Sequence, residues 1–302
     1  MNAAELTTIA VIGAGQMGAG IAQVAAAAGL SVLLSDTDVE RARSGKRGIE
    51  ERLNRQVAKG KLDAAVRDAL LPRITPVGSL AECATADVAI EAASEKPELK
   101  VELFRSLDGL LGPSALLLSN TSSISITWLA ARTSRPERVA GMHFMNPVPV
   151  MQLCEVIRGE QTSPESLALV VDLAARLGKT VVQSRDRPGF IVNRILIPLL
   201  NEACFALEEH LGSATDIDTG AKLGLAHPLG PLELADLIGL DTVLAIAEVL
   251  HEGFGDDKYR PAPLLRNLVA AGWLGRKSGR GFYVYDAQGT RGEPSRAEWR
   301  SP

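Results

Sequence analysis

Thr8-Ile9-Ala10-Val11-Ile12-Gly13-Ala14-Gly15-Gln16-Met17-Gly18 decides the fold. Its first five residues are apolar or β-branched and stop at a glycine cluster, the pattern of a strand buried on both faces. Met17, Ile21, Val24, Ala25 and Ala28 then recur at helical spacing as far as Gly29, and Ser31-Val32-Leu33-Leu34-Ser35 reads as a second buried strand. Strand, glycine turn, helix and strand make a complete βαβ unit. Gly13, Gly15 and Gly18 have the G-x-G-x-x-G spacing, with Ala14, Gln16 and Met17 between them. The spacing alone is a weak signal, but between a buried strand and a helix it lets the backbone approach a pyrophosphate while the helix N-terminus supplies N–H donors. Asp36 closes the second strand, where a carboxylate can accept both hydroxyls of an adenosine ribose and repel a 2′-phosphate. NAD is therefore favoured over NADP.

Beyond Asp36 the chain from about 38 to 71 is charged and helical in period, turning at Lys59-Gly60-Lys61. This is long for a plain crossover and predicts an inserted helical hairpin. Strand-like runs follow at Val88-Ala89-Ile90, Ala115-Leu116-Leu117-Leu118, Val139-Ala140-Gly141-Met142 and Thr180-Val181-Val182, separated by helical patterns. The alternation implies a Rossmann-type doubly wound α/β sheet over residues 1–185. After Asp186-Arg187-Pro188-Gly189 the strand signal fades, and residues 186–302 read as an all-α C-terminal domain for substrate binding and dimerisation. Ile195-Leu196-Ile197-Pro198-Leu199-Leu200 and the stretch from Leu234 to Leu250 hold more apolar surface than one small bundle buries, which predicts a homodimer through this domain. The tail after Asp286 has little to bury and is expected to be poorly ordered.

The 302 residues, 46% hydrophobic and 23% charged, suffice for two cores. A net charge of −4 leaves no broad basic surface for nucleic acid or anionic lipid. Cys83, Cys154 and Cys204 are odd in number and lack C-x-x-C spacing, so no disulfide framework or metal site is expected. No apolar run reaches the ~18 residues that span a bilayer, and the start lacks a basic leader, so a cytoplasmic location is expected.

Ser119-Asn120-Thr121-Ser122-Ser123 follows a strand and gathers hydroxyls at the carboxyl edge of the sheet, where open α/β folds bind ligands. Alone, such a cluster is more often a turn or a helix cap. In Met151-Gln152-Leu153-Cys154-Glu155-Val156-Ile157, alternation places Glu155 on the apolar face shared by Met151, Leu153 and Ile157. A carboxylate there needs a cationic or hydrogen-bonding partner, or must be protonated. His143, at the end of another strand and before Asn146-Pro147, is a candidate. A carboxylate on one imidazole nitrogen fixes the tautomer and leaves the other free to take a proton from an alcohol.

These residues resemble a known family, the 3-hydroxyacyl-CoA dehydrogenases, and among them the stand-alone 3-hydroxybutyryl-CoA type. The resemblance runs from about Ile9 to Tyr285. It includes Ser119 to Ser123, Gly141-Met142-His143-Phe144-Met145-Asn146-Pro147-Val148-Pro149, Pro188-Gly189-Phe190-Ile191-Val192-Asn193-Arg194, His227-Pro228-Leu229-Gly230-Pro231 and Gly272 to Tyr283. It implies an NAD-dependent oxidation of an acyl-CoA, with His143 and Glu155 as the catalytic pair and Ser122 and Asn193 on the substrate. It further implies NAD contacts from the glycine loop, Asp36, Glu95, Lys100, Ser122 and Lys277, and CoA contacts from Arg52 and Lys59. Met145 stands where the family usually has a second phenylalanine, and Gln152 and Cys154 replace a usual lysine and valine; these changes bear on acyl-chain preference. Two other readings remain: a dehydrogenase of a free 3-hydroxy acid or sugar acid, and a non-enzymatic NAD-binding protein of the crystallin kind.

Overall fold

The computed structural model describes residues 3–300. The chain divides into two compact units, Met1–Phe190 and Ile191–Pro302. The first opens with β1 (Thr8–Ile12), α1 (Gln16–Ala27) and β2 (Ser31–Ser35), followed by α2 (Val39–Ala58) and α3 (Ala64–Leu70). These two helices form the inserted hairpin. Asp38 and Asp63 cap their N-termini by accepting the backbone N–H groups of Arg41 and Ala65. Then come β3 (Ile74–Val77), β4 (Val88–Glu91), α4 (Pro97–Leu110), β5 (Leu116–Ser119), α5 (Ile126–Ala130), β6 (Val139–Phe144), β7 (Leu153–Arg158), α6 (Pro164–Arg176) and β8 (Thr180–Arg185).

One sheet holds all eight strands in the order β3-β2-β1-β4-β5-β6-β7-β8. β3 to β6 run parallel, in the doubly wound arrangement that sets the nucleotide crevice beyond the carboxyl end of β1. β7 is antiparallel to β6, and β8 is parallel to β7, so the sheet is mixed at one end. Alternate residues of each strand feed two cores: Ile9 and Val11 pack with α1 and α6 on one face, Ala10 and Ile12 with Phe104 and Leu129 on the other. Three details differ from the sequence reading. β3 is an additional strand, tolerating Pro76 because it pairs only with β2 at the sheet edge. β7 starts at Leu153, leaving Met151 outside it and 41% exposed. Its four central residues are buried whichever way they point, so Glu155 does not lie between an apolar and a solvated face.

The second unit contains α7 (Val192–Glu208), α8 (Ala214–Gly224), α9 (Pro231–Ile238), α10 (Leu240–Phe254) and α11 (Pro263–Ala270). It is not purely helical, since β9 (Tyr283–Tyr285) and β10 (Arg291–Pro294) pair antiparallel. Two buried aspartates hold β9. Asp236 accepts the backbone N–H groups of Phe282 and Tyr283 and the Tyr285 hydroxyl, while Asp218 accepts the Tyr283 hydroxyl and the N–H groups of Leu232 and Glu233. The expected disorder after Asp286 is overturned as far as residue 300. Trp299 is 3% exposed and packs on Phe282, Ser295 donates its backbone N–H to the Phe282 carbonyl, and Arg280 donates to the Ser295 carbonyl. One tryptophan thus supplies the apolar area that the tail's average composition lacks. Ser301 and Pro302, at the end of that tail, and Met1 and Asn2 lie outside the described residues. Among the described residues no helix is long and apolar enough to cross a membrane.

Candidate active site

The loop from β1 to α1 is shaped by what a side chain would meet there. Gly13 has φ +106°, and a Cβ on it would lie 2.6 Å from the Ala92 carbonyl oxygen. A Cβ on Gly18 would come within 1.7 Å of the Gly13 carbonyl oxygen, so only glycine lets α1 pack against the loop. At Gly15, the N-cap of α1, the same test meets nothing within 4 Å, and no side chain caps the helix. Open space beside uncapped N–H groups fits a pyrophosphate.

Asp36, at the end of β2, is bonded directly to this loop. Its Oδ2 accepts the Ala14 N–H at 2.7 Å and its Oδ1 the Thr37 N–H at 2.8 Å, with Arg41 Nε 3.2 Å away. Partial burial raises its proton affinity, but those two N–H groups, the Arg41 charge and the Thr37 hydroxyl outweigh it and hold the carboxyl below its ordinary value. A cavity of about 580 Å³ runs from Gly15 and Met17 past Asp36 and Arg41 to Ser94 and Leu103. Glycine loop, carboxylate and apolar slot fit a nicotinamide dinucleotide.

Beyond β4 and β5 lies a polar network, buried at Glu91, Lys100 and Ser119 and open to solvent at Glu95 and Ser122. Lys100, on α4 and 1% exposed, places its ammonium 2.6 and 2.8 Å from the Glu91 carboxylate oxygens and 3.1 Å from Glu95. Ser119 donates its hydroxyl to Glu91 at 2.6 Å. Glu95 Oε1 accepts the Thr121 hydroxyl at 2.5 Å, the Ser122 N–H at 2.9 Å and the Ser123 hydroxyl at 3.0 Å. Burial raises the proton affinity of Glu95, but the Lys100 charge and these donors hold its carboxyl below its ordinary value. The sequence reading brought Glu95, Lys100 and Ser122 together but gave Glu91 and Ser119 no role. Glu91 is a carboxylate ending a wholly apolar strand, the same signal that singled out Glu155.

His143 and Glu155 are register partners across β6 and β7, so their side chains leave the sheet on the same face. Nδ1 of His143 lies 2.8 Å from Oε2 of Glu155; the residues are 7% and 0% exposed. With Glu155 accepting, Nδ1 carries the shared proton and Nε2 is the nitrogen turned away from the carboxylate. Asn120, just beyond β5, accepts the Phe144 N–H at 2.9 Å and ties the end of β6 to the hydroxyl-rich loop. That asparagine was quoted in the motif without a function.

The other expected site residues are placed as follows. Arg52, on α2, donates from Nε to Gln23 of α1 at 2.8 Å, and Lys59 ends α2, exposed. Asn193 and Lys277 belong to the second unit. Asn193 lies in the first turn of α7 and is 8% exposed; Lys277 pairs with Asp241 at 2.5 Å.

A Rossmann sheet with a dinucleotide crevice and a histidine–carboxylate pair at its carboxyl edge defines the class of nicotinamide-dinucleotide-dependent oxidoreductases. More narrowly, the chain belongs to the 3-hydroxyacyl-CoA dehydrogenase family. Residues 8–187 match the model of that family's NAD-binding domain and residues 189–285 that of its C-terminal domain. The chain is 52% identical over 282 residues to a probable 3-hydroxybutyryl-CoA dehydrogenase of Bacillus subtilis, covering 93% of this chain and 98% of that one. It is 51% identical over 294 residues to the 3-hydroxybutyryl-CoA dehydrogenase of Bradyrhizobium diazoefficiens, covering 97% and 100%. The crystal structure of (S)-3-hydroxybutyryl-CoA dehydrogenase from Ralstonia eutropha superposes with a TM-score of 0.91 at 50% identity, covering 93% of this chain and all of that one.

Proposed function

We propose that this chain catalyses the reversible oxidation of a short (S)-3-hydroxyacyl-CoA, of the 3-hydroxybutyryl-CoA type, to the 3-ketoacyl-CoA. The observation that carries the proposal is the buried His143–Glu155 pair, 2.8 Å apart, in a chain of this family. Bound NAD supplies the acceptor for the hydride that leaves C3. Nε2 of His143 takes the proton of the 3-hydroxyl, and Glu155, held on Nδ1, stabilises the imidazolium that results. In the reverse direction the imidazolium returns that proton to the 3-oxygen. Ser122, fixed by Glu95, and Asn193 donate hydrogen bonds to the substrate's 3-oxygen and thioester region. Glu95 faces the cofactor, and Lys100, expected to do so as well but 1% exposed and paired with Glu91 and Glu95, acts on it through Glu95.

Asp36 selects NAD, and its ion pair with Arg41 leaves that guanidinium engaged and less free for a 2′-phosphate. Gly13 to Gly18 hold the pyrophosphate, and Lys277 is a further cofactor contact. Arg52 and Lys59 neutralise phosphates of CoA. Ile195, Leu211, Leu223 and Leu225, between 60% and 82% exposed and all in the second unit, support a homodimer formed through it. The three cysteines are buried and unpaired, which accords with a cytoplasmic enzyme.

The test is NADH oxidation with acetoacetyl-CoA, with longer 3-ketoacyl-CoA thioesters and with free acetoacetate. Turnover of the four-carbon thioester above the free acid is the expected result. A preference for the free acid moves the assignment to an acid dehydrogenase, and no turnover at all makes the chain a binding protein. Light scattering at micromolar concentration should give a dimer; a monomer refutes that part.

A further inference from the structure

Phe190 is 5% exposed, and its ring packs against the imidazole of His143 with centroids 5.9 Å apart and planes tilted by 59°. Its backbone has φ +48°, a left-handed conformation unfavourable for a bulky residue, directly after Gly189 at φ +76°. Such a conformation persists only where its surroundings fix it, and here they do. The Phe190 N–H donates to the Arg187 carbonyl at 3.0 Å, closing the turn. Asp186, at the head of that turn, donates its own N–H to the carbonyl of Arg158, the last residue of the strand that carries Glu155. The Asp186 carboxylate accepts the Ser125 hydroxyl at 2.7 Å and the Thr127 N–H at 2.8 Å. The ring is seated in the apolar cluster of Ile126, Val139 and Ile157.

From this anchoring we infer that Phe190 is a positioning residue for His143, an inference resting on the reading of His143 as the base. A rigid ring against the imidazole restricts its rotation about the Glu155 hydrogen bond, so that Nε2 keeps one direction. It also keeps water from the pair, which shields the carboxylate–imidazole hydrogen bond. Leucine or methionine would fill comparable volume without holding a plane.

The experiment compares Phe190→Leu, Phe190→Met and Phe190→Tyr with the parent, and uses His143→Gln as a reference. Thermal melts and NADH titration by fluorescence establish that each variant is folded and binds cofactor. The leucine variant is expected to lose about 10- to 100-fold in kcat, with NADH affinity within twofold of the parent. The acid limb of its kcat/KM profile should shift from that of the parent, because the ring no longer packs on the imidazole. Tyrosine should restore most of kcat and the parental limb. A leucine variant with kcat and limb within twofold of the parent overturns the inference, and methionine decides where leucine does not fold. If His143→Gln stays active, the base assignment itself fails. If it is inactive while Phe190→Leu is normal, only the role of Phe190 fails.

Discussion

His143 and Glu155 sit directly opposite each other on antiparallel strands, and their side chains meet at 2.8 Å in a place that solvent scarcely reaches. The geometry makes Glu155 an acceptor for one imidazole nitrogen only, and every step of the proposed proton transfer depends on the other. His143→Gln should therefore lower kcat by about 10²- to 10⁴-fold. NADH affinity, read by fluorescence quenching, should stay near normal. A glutamine variant with half the parental activity removes the histidine from the mechanism.

Lys100 is the cation enclosed by Glu91 and Glu95, and the Glu91 side chain has no exposure at all. Lys100→Met strands a buried carboxylate and should cost about 3–5 kcal/mol in urea unfolding. Adding Glu91→Gln should recover part of that loss. If the single variant unfolds at the parental urea concentration, the network is not the structural unit described above.

Removing the Asp36 carboxylate takes away the group that would repel a 2′-phosphate, and it frees the Arg41 guanidinium 3.2 Å away. Asp36→Ser should raise the ratio of NADPH to NADH in kcat/KM by about tenfold or more. An unchanged ratio would assign cofactor choice to another residue.

Asp236 predicts a pH dependence of stability. Burial raises its carboxyl to about 7, against the pull of the Tyr283 and Phe282 N–H groups and the Tyr285 hydroxyl, and nearby Asp218 adds to the rise. The ordinary value is 3.8, so between about pH 4 and 7 the folded protein keeps a proton that the unfolded chain releases. This contribution to stability is complete below that window and fades as pH rises through it, by an amount on the order of a few kcal/mol. Melting temperatures of the parent and Asp236→Asn, compared at pH 4.5 and 7.5, should show the parent gaining on the variant at the lower pH. Parallel behaviour of the two proteins would contradict the assignment.

The nucleotide half of the molecule was legible because its signals are local: strand, glycine spacing, helix, and an acid at the end of β2. Glu155 was found for a reason that needs correcting. Both faces of β7 are buried, so alternation did not distinguish it; a carboxylate among apolar residues did. The reversal of β7 was implicit in the loop 145–152, which is too short for a crossover between parallel strands. Edge strand β3 was hidden by its shortness and by Pro76. Trp299 was hidden by the Gly, Pro and Ser around it, since composition averages over a single buried aromatic residue. The positive φ of Phe190 is set by the turn's anchors on other elements, and Pro188-Gly189 announces only that a turn is there.

The reversal between β6 and β7 also has an evolutionary side. The proposed base and its orienter travel on one uninterrupted stretch of chain, Val139 to Arg158, so recombination between relatives that cuts outside it exchanges the pair whole. Met145 and Gln152, in the loop between the two strands, would be inherited along with it.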